Sequence, residues 1–254
     1  MCRRPRLPCI EMAGSNDDVS RFWDQQAAGY NAAPKNRARE QEPRHLFAAR
    51  ELEANLGGRI LCVGGLWVGA RADFVNEHDV TVLDVSSAML SHFEERGAIG
   101  VEGDARAMPF ADGVFDHVVF PLVIHHITDG SAEQSRTNTL RALAEARRVL
   151  RPSGSVWIRE ITTTRLTYYA ERLLAPATKW ALALRGVPLV IFHSERFLRQ
   201  ALASCGFGRV TCASVPEPRR WTRVNRPIIG LPQFVVPERL LPAMTHVLLR
   251  GIAA

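Results

Sequence analysis

The chain has 254 residues, of which 46% are hydrophobic and 23% charged, with a formal net charge of +6. That length suits one large domain or a domain with an added cap, and the composition excludes a disordered or fibrous chain. The basic residues are scattered, with small clusters only at Arg3-Arg4 and Arg219-Arg220, so nothing marks a nucleic-acid surface.

At the start, Met1–Glu11 is rich in arginine and proline and leads into no apolar signal-peptide region. Met12 opens MAGSNDDVS, a more natural start. The expectation is a disordered tail over 1–17 and a single domain over 18–254. Asp18–Tyr30 reads as a helix anchored by Phe22, Trp23 and Tyr30, followed by a polar loop over Asn31–Pro43. His45–Leu56 has apolar residues at helical spacing and stops at Gly57-Gly58. Ile60–Val63 is a buried strand by composition, and Val68–Asn76 the helix after it.

Val80–Asp84 reads as the second strand and Ser86–Arg96 as the second helix, capped by Ser86 or Ser87. Short strands follow at Gly100–Gly103 and Phe115–Phe120, then an amphipathic helix over Thr137–Leu150 that stops at Arg151-Pro152-Ser153-Gly154. Ser155–Ile161 is a fifth strand, Ser194–Ser204 a serine-capped helix, Arg209–Val215 a sixth strand and Thr245–Arg250 the last. Strands alternating with helices predict an α/β fold, a doubly wound and mostly parallel sheet with helices on both faces.

Two insertions near 162–193 and 217–243 interrupt this pattern. The first carries Tyr168, Tyr169, Leu173, Leu174, Trp180, Leu184 and Phe192; the second carries Trp221, Ile228, Ile229 and Phe234. They read as an apolar lid over a hydrophobic small molecule, or as segments packed on each other and on the sheet. Arg165, Arg172 and Arg185 are suited to an anionic head group or to solvent. No stretch reaches the length of a membrane span, though a mildly basic chain is compatible with peripheral membrane contact. The five cysteines lack metal-ligand spacing and read as reduced, buried thiols of a cytoplasmic protein; no metal is expected. The oligomeric state has no signature in the sequence.

The chemistry is concentrated between Arg59 and Phe110. Asp84 lies twenty residues after Gly64, and Asp104 twenty after Asp84. A nucleotide-binding α/β sheet places its ribose-binding acid at about that distance from its glycine turn.

Four segments in order, VTVLDVSSAML, GDARAMPFADGVFDHVV, LVIHHITD and RALAEARRVLRPSGSVWI, resemble the class I S-adenosylmethionine-dependent methyltransferases, in their ubiquinone and menaquinone branch. The resemblance covers roughly 22–206. It implies a Rossmann-like seven-stranded sheet with an antiparallel last strand, S-adenosylmethionine as cofactor and a hydrophobic acceptor such as a quinone, polyketide or lipid. It implies that Asp84, with Val85 beside it, accepts from the ribose hydroxyls. Asp104 and the Ala105 amide would meet the adenine, Met89 would pack on the nucleoside, and the Pro121 carbonyl would accept from the ammonium group. Tyr30 would close the site as an aromatic lid. By its own chemistry His125 or His126 is suited to act as general base near neutral pH, although the pair belongs to the family's ordinary structural pattern. Plainer readings stand beside these: Asp84 as a helix cap, Asp104 as a turn former, Met89 and Tyr30 as core residues, and the histidine pair as structural.

The glycine turn departs from the family. Cys62 replaces its acid, Leu66 its second glycine and Trp67-Val68 the last pair of the Gly-x-Gly-x-Gly pattern. Gly64 is in phase, while Gly65 and Gly69 are out of phase. Either the loop bends to use these glycines, or bulk enters the cofactor site. The second outcome would favour a non-methylating enzyme, such as a cyclase or decarboxylase, or a non-catalytic subunit.

Overall fold

The structure is a computed structural model and describes residues 16–32, 42–128, 131–163, 188–215 and 245–254, with short pieces at 169, 172–174, 177, 179–180, 182, 222–223 and 235–236. Residues 1–15 of the tail expected over 1–17 and most of both insertions lie outside the described residues, while residues 16–17 open the first helix and so correct that bound. Seven strands form one sheet: β1 (Arg59–Val63), β2 (Asp79–Asp84), β3 (Ile99–Glu102), β4 (Phe115–Pro121), β5 (Leu150–Thr162), β6 (Phe207–Ser214) and β7 (Thr245–Ala253), in the order β3-β2-β1-β4-β5-β7-β6. The first five are parallel, and β7 runs antiparallel to both β5 and β6. The expected doubly wound α/β fold is thus observed. Thr222–Arg223 and Val235–Val236 pair separately.

The helices are α1 (Asn16–Ala32), α2 (Pro43–Asn55), α3 (Ala72–Glu77), α4 (Ser87–Glu94), α5 (Ala132–Val149) and α6 (Glu195–Ser204). Three begin on a serine that accepts a backbone N–H: Ser86 from Met89, Ser131 from Gln134 and Ser194 from Phe197. Two expectations need correction. The helix expected from Val68 starts only at Ala72, because Gly69 at φ +86° cannot continue a right-handed helix. The helix expected from Thr137 starts at Ala132, where the Ser131 cap meets the donors of the first turn.

Successive strand residues point to opposite faces, and this builds two cores. Leu61, Val63, Val118, Phe120, Val156 and Ile158 pack toward α5 and α6. Ile60, Cys62, Val119 and Trp157 pack the other way, toward α2 and Phe74 of α3. The alternation continues past the hydrophobic run. It sends Arg159 to the α2 face and Glu160 to the α5 face, both fully buried.

Candidate functional site

A cavity opens at the carboxyl ends of β1, β2 and β4, the edge where ligands bind in open α/β sheets. Gly64, Gly65, Leu66 and Val68 form one wall; Asp84, Val85 and Met89 the second; Asp104 and Ala105 the third; and Pro121 and Leu122 the fourth. Val19 and Trp23 of α1 close it from outside, and His126 reaches in from the short 3-10 turn Ile124–His126.

The altered turn keeps its backbone shape. Gly64, Gly65 and Gly69 take φ of +76°, +119° and +86°. A Cβ at Gly64 would lie 2.2 Å from Cγ2 of Val123, and one at Gly65 2.8 Å from Cζ of Phe93, so both positions require glycine. Trp67 does not enter the cavity. It is fully buried on the α2 face, edge-on to Phe74 with ring centroids 5.7 Å apart. Leu66 does line the cavity. Cys62 is a buried core thiol, raised by burial and therefore neutral. Of the bulky residues in the turn, Trp67 is turned away from the cavity, while Leu66 and Val68 stand in its wall.

Asp84 ends β2 with 9% of its surface exposed. Its carboxylate accepts from the Ser86 amide at 2.9 Å, and burial pushes its pKa up to about 6. Asp104 behaves as a turn former: its Oδ1 accepts from the Arg106 amide at 2.8 Å, and the Arg106 guanidinium grips the same carboxylate at 2.8–3.1 Å. It also lines the cavity. The following loop is tied to α5, where Arg148 donates to the carbonyls of Met108 and Phe110 and Glu145 accepts from the Met108 amide. Met89 is both cavity wall and core residue.

The two histidines separate. His126 lines the cavity, its ring edge-on to Trp23 at 5.2 Å, with Nδ1 buried and unpartnered. Burial and the neighbouring His125 hold it well below the usual histidine range, so it is neutral near pH 7. His125 faces away from the cavity lining: its Nδ1 lies 2.6 Å from Oε1 of buried Glu160. Tyr30 lies in α1, but its side chain falls outside the described residues.

One site residue was missed in the sequence. Asp24 of α1 accepts from the Ser86 hydroxyl at 2.6 Å, across 62 residues with no local signature. Leu122 has φ +63° and donates its N–H to the Arg159 carbonyl at 2.8 Å. A left-handed leucine costs about 1–2 kcal/mol, and such strain tends to gather at ligand sites. The apolar lid is only partly visible: Tyr169, Leu173, Leu174 and Trp180 are exposed, while Leu182 packs with Leu189, Ile191 and Ala132. Tyr168, Leu184, Trp221, Ile228, Ile229 and Phe234 lie outside the described residues. Among the described residues, no three His, Cys, Asp or Glu side chains group to hold a metal, and no helix is long and apolar enough to cross a membrane.

Residues 60–158 match the methyltransferase domain family. The chain is 29% identical over 160 residues to a demethylmenaquinone methyltransferase from Mycobacterium sp. (strain KMS), covering 61% of this chain and 66% of the relative. It therefore spans just under two thirds of that relative's length. A Thermotoga maritima S-adenosylmethionine-dependent methyltransferase, described as a possible histamine N-methyltransferase, superposes with a TM-score of 0.58 at 15% identity, over 92% of this chain and 99% of that one. The 1,6-didemethyltoxoflavin-N1-methyltransferase of Burkholderia thailandensis, solved with its substrate and S-adenosylhomocysteine, gives 0.56 at 15% identity, over 100% and 93%. Those two likenesses concern the fold. The strand order, the cavity at its carboxyl edge and the matched segment together make residues 60–158 of this chain similar to the methyltransferase domain family.

Proposed function

We propose that this chain transfers a methyl group from S-adenosylmethionine to a hydrophobic small molecule of quinone, polyketide or lipid-like character. The observation that carries this reading is one cavity holding both the β2-terminal acid Asp84 and a positive-φ glycine wall. The residues fit the cofactor. Asp84 offers a charged acceptor to two ribose hydroxyls, and Gly64 lets the cavity wall pack against Val123, where any side chain would clash. Asp104 and Ala105 would meet the adenine, Met89 would pack on it, and the Pro121 carbonyl would accept from the ammonium group. The likeness to a demethylmenaquinone methyltransferase supports the acceptor class.

S-adenosylmethionine supplies an activated methyl group on a sulfonium. Alignment and exclusion of water can carry much of such a reaction. Trp23 and Val19 shield the cavity, and neutral His126 lines it, where its imidazole would take the acceptor's proton. Calorimetric titration with S-adenosylhomocysteine tests the reading: binding in the micromolar range supports it, and no binding to folded protein refutes it. Methyl transfer from labelled cofactor to quinol acceptors would follow.

A further inference from the structure

The methyl-transfer site leaves the insertion between β5 and α6 without a task. Five large hydrophobic side chains are exposed among the described residues, and four of them, Tyr169, Leu173, Leu174 and Trp180, belong to this insertion. Leu173 is 81% exposed and Trp180 69%. Single apolar residues are common on a surface, but a local concentration of large ones marks an interaction site. The described residues between 169 and 182 are helical. Tyr169, Leu173 and Trp180 stand at i, i+4 and i+11, which is the spacing of one helix face.

The opposite side of the insertion is fastened beside the cavity. Leu182 is buried with Leu189, Ile191 and Ala132 of α5. Thr128, in the cavity wall, donates its hydroxyl to the Leu189 carbonyl at 2.7 Å, and the Ile191 amide donates to the His125 carbonyl at 3.1 Å. The Thr163 amide donates to the His193 carbonyl at 3.2 Å and draws the two ends of the insertion together. The exposed side chains are thus carried on a base anchored at the carboxyl edge of the sheet.

Charge selects the partner. Arg172 is exposed and Lys179 half-buried; they are seven residues apart and therefore on one flank of the same face. Over 162–193 the sequence carries four basic residues, Arg165, Arg172, Lys179 and Arg185, against one acid, Glu171, and the whole chain has a net charge of +6. Leucine, tryptophan and tyrosine beside arginine and lysine form the composition of a helix that lies in the headgroup layer of a bilayer. A second copy of this chain is a poorer partner, because a two-fold pairing sets the same patch on itself and brings like charges together.

We propose that Tyr169, Leu173, Leu174 and Trp180, flanked by Arg172 and Lys179, dock the protein on the surface of an anionic phospholipid bilayer. The apolar side chains enter the headgroup layer, and the two cations meet lipid phosphates. Docking sets the carboxyl edge of the sheet next to the phase in which an apolar acceptor dissolves. It requires no cofactor, so this site and the methyl-transfer reading can fail separately.

Vesicle flotation with the full chain, without cofactor, tests the site. Vesicles of phosphatidylcholine alone are compared with vesicles carrying about 30% phosphatidylglycerol. The native protein is expected to bind the anionic vesicles about tenfold or more tighter than the neutral ones, and added salt should weaken that binding. Leu173→Ser combined with Trp180→Ser should weaken binding to anionic vesicles about tenfold or more. Arg172→Gln combined with Lys179→Gln should weaken it by about tenfold while leaving neutral vesicles unaffected. Should one pair of substitutions disturb folding, read by circular dichroism, the other still reports on the surface. A native protein that ignores both vesicle types, or binds them equally, overturns the proposal, as does undiminished binding after the two serine substitutions. A dimer in sedimentation that those substitutions dissociate, with no vesicle binding, overturns it in favour of a second copy. Titration of the same preparation with S-adenosylhomocysteine reports separately on methyl transfer.

Discussion

The Ser86 hydroxyl donates to Asp24 at 2.6 Å while accepting the Met89 amide at 3.1 Å, so one side chain both caps α4 and latches α1 over the cavity. Replacing Asp24 by Ala removes the latch and leaves the cap. The expected loss is about 0.5–1.5 kcal/mol, concentrated in α1. Hydrogen exchange should quicken over 16–32 and stay unchanged in β1, β2 and β4. Uniform exchange across the variant would argue against a latch.

Asp84 has a folded pKa near 6, above its ordinary value, because burial disfavours the charged form. Its protonated form therefore contributes stability that is complete below about pH 4 and lost as pH rises through about 6. Asp84→Asn should stabilise the free protein above pH 7 by about 1–3 kcal/mol, since Oδ1 can still accept from Ser86. The affinity of the native protein for S-adenosylhomocysteine should climb as pH rises through about 6. In the variant it should be weak and flat. Calorimetry from pH 5 to 8 and urea midpoints measure the two effects.

His125 and His126 should respond differently to substitution. His126→Asn would lower kcat by about 100-fold or more if the imidazole takes the acceptor's proton, with cofactor affinity kept. His125→Asn strips the imidazole from buried Glu160, which retains two backbone donors, and should cost about 2 kcal/mol of stability. Equal kinetic losses in both variants would refute the division of roles.

Acid should unfold the protein early. Burial holds His193 and His246 near 4 and His126 well below its ordinary range. Their lowered values favour the fold above about pH 6.5, and that stability is lost as pH falls through the folded values. Around pH 5 each of the three takes up nearly one proton on unfolding, and Asp84 releases nearly one. A net uptake of about two protons follows, measurable as the slope of unfolding free energy against pH.

Much of the fold was legible because its signals are local. Alternation in β1 and β4, serine caps at Ser86 and Ser194, and acids at the ends of β2 and β3 are each written within a few residues. The start of α5 was misplaced at Thr137: the Ser131 hydroxyl accepts the Gln134 amide and marks the first turn, but the polar residues after it lack apolar period. The site was less legible because its decisive contacts are distant. Asp24 meets Ser86 across 62 residues and His45 meets Arg159 across 114, and no spacing rule links such pairs. Strand alternation could have placed Arg159 and Glu160 on opposite faces, had the two been recognised as buried.

Trp67 offers a separate stability test. Trp67→Ala should cost about 3–5 kcal/mol, as expected for a fully buried indole. Trp67→Phe should cost less than its loss of volume suggests, because the indole N–H is buried without a partner. Denaturant midpoints give both values, and cofactor affinity per folded molecule should be the same in each.

The placement of Trp67 also ties the turn to the interior. It stands between Leu66 and Val68, the two positions where the family pattern asks for glycine, and its indole is buried edge-on to Phe74 of α3. Glycines on both sides would loosen the backbone that holds this indole in place. The residues of this turn therefore answer to the packing beneath them as well as to the cavity above.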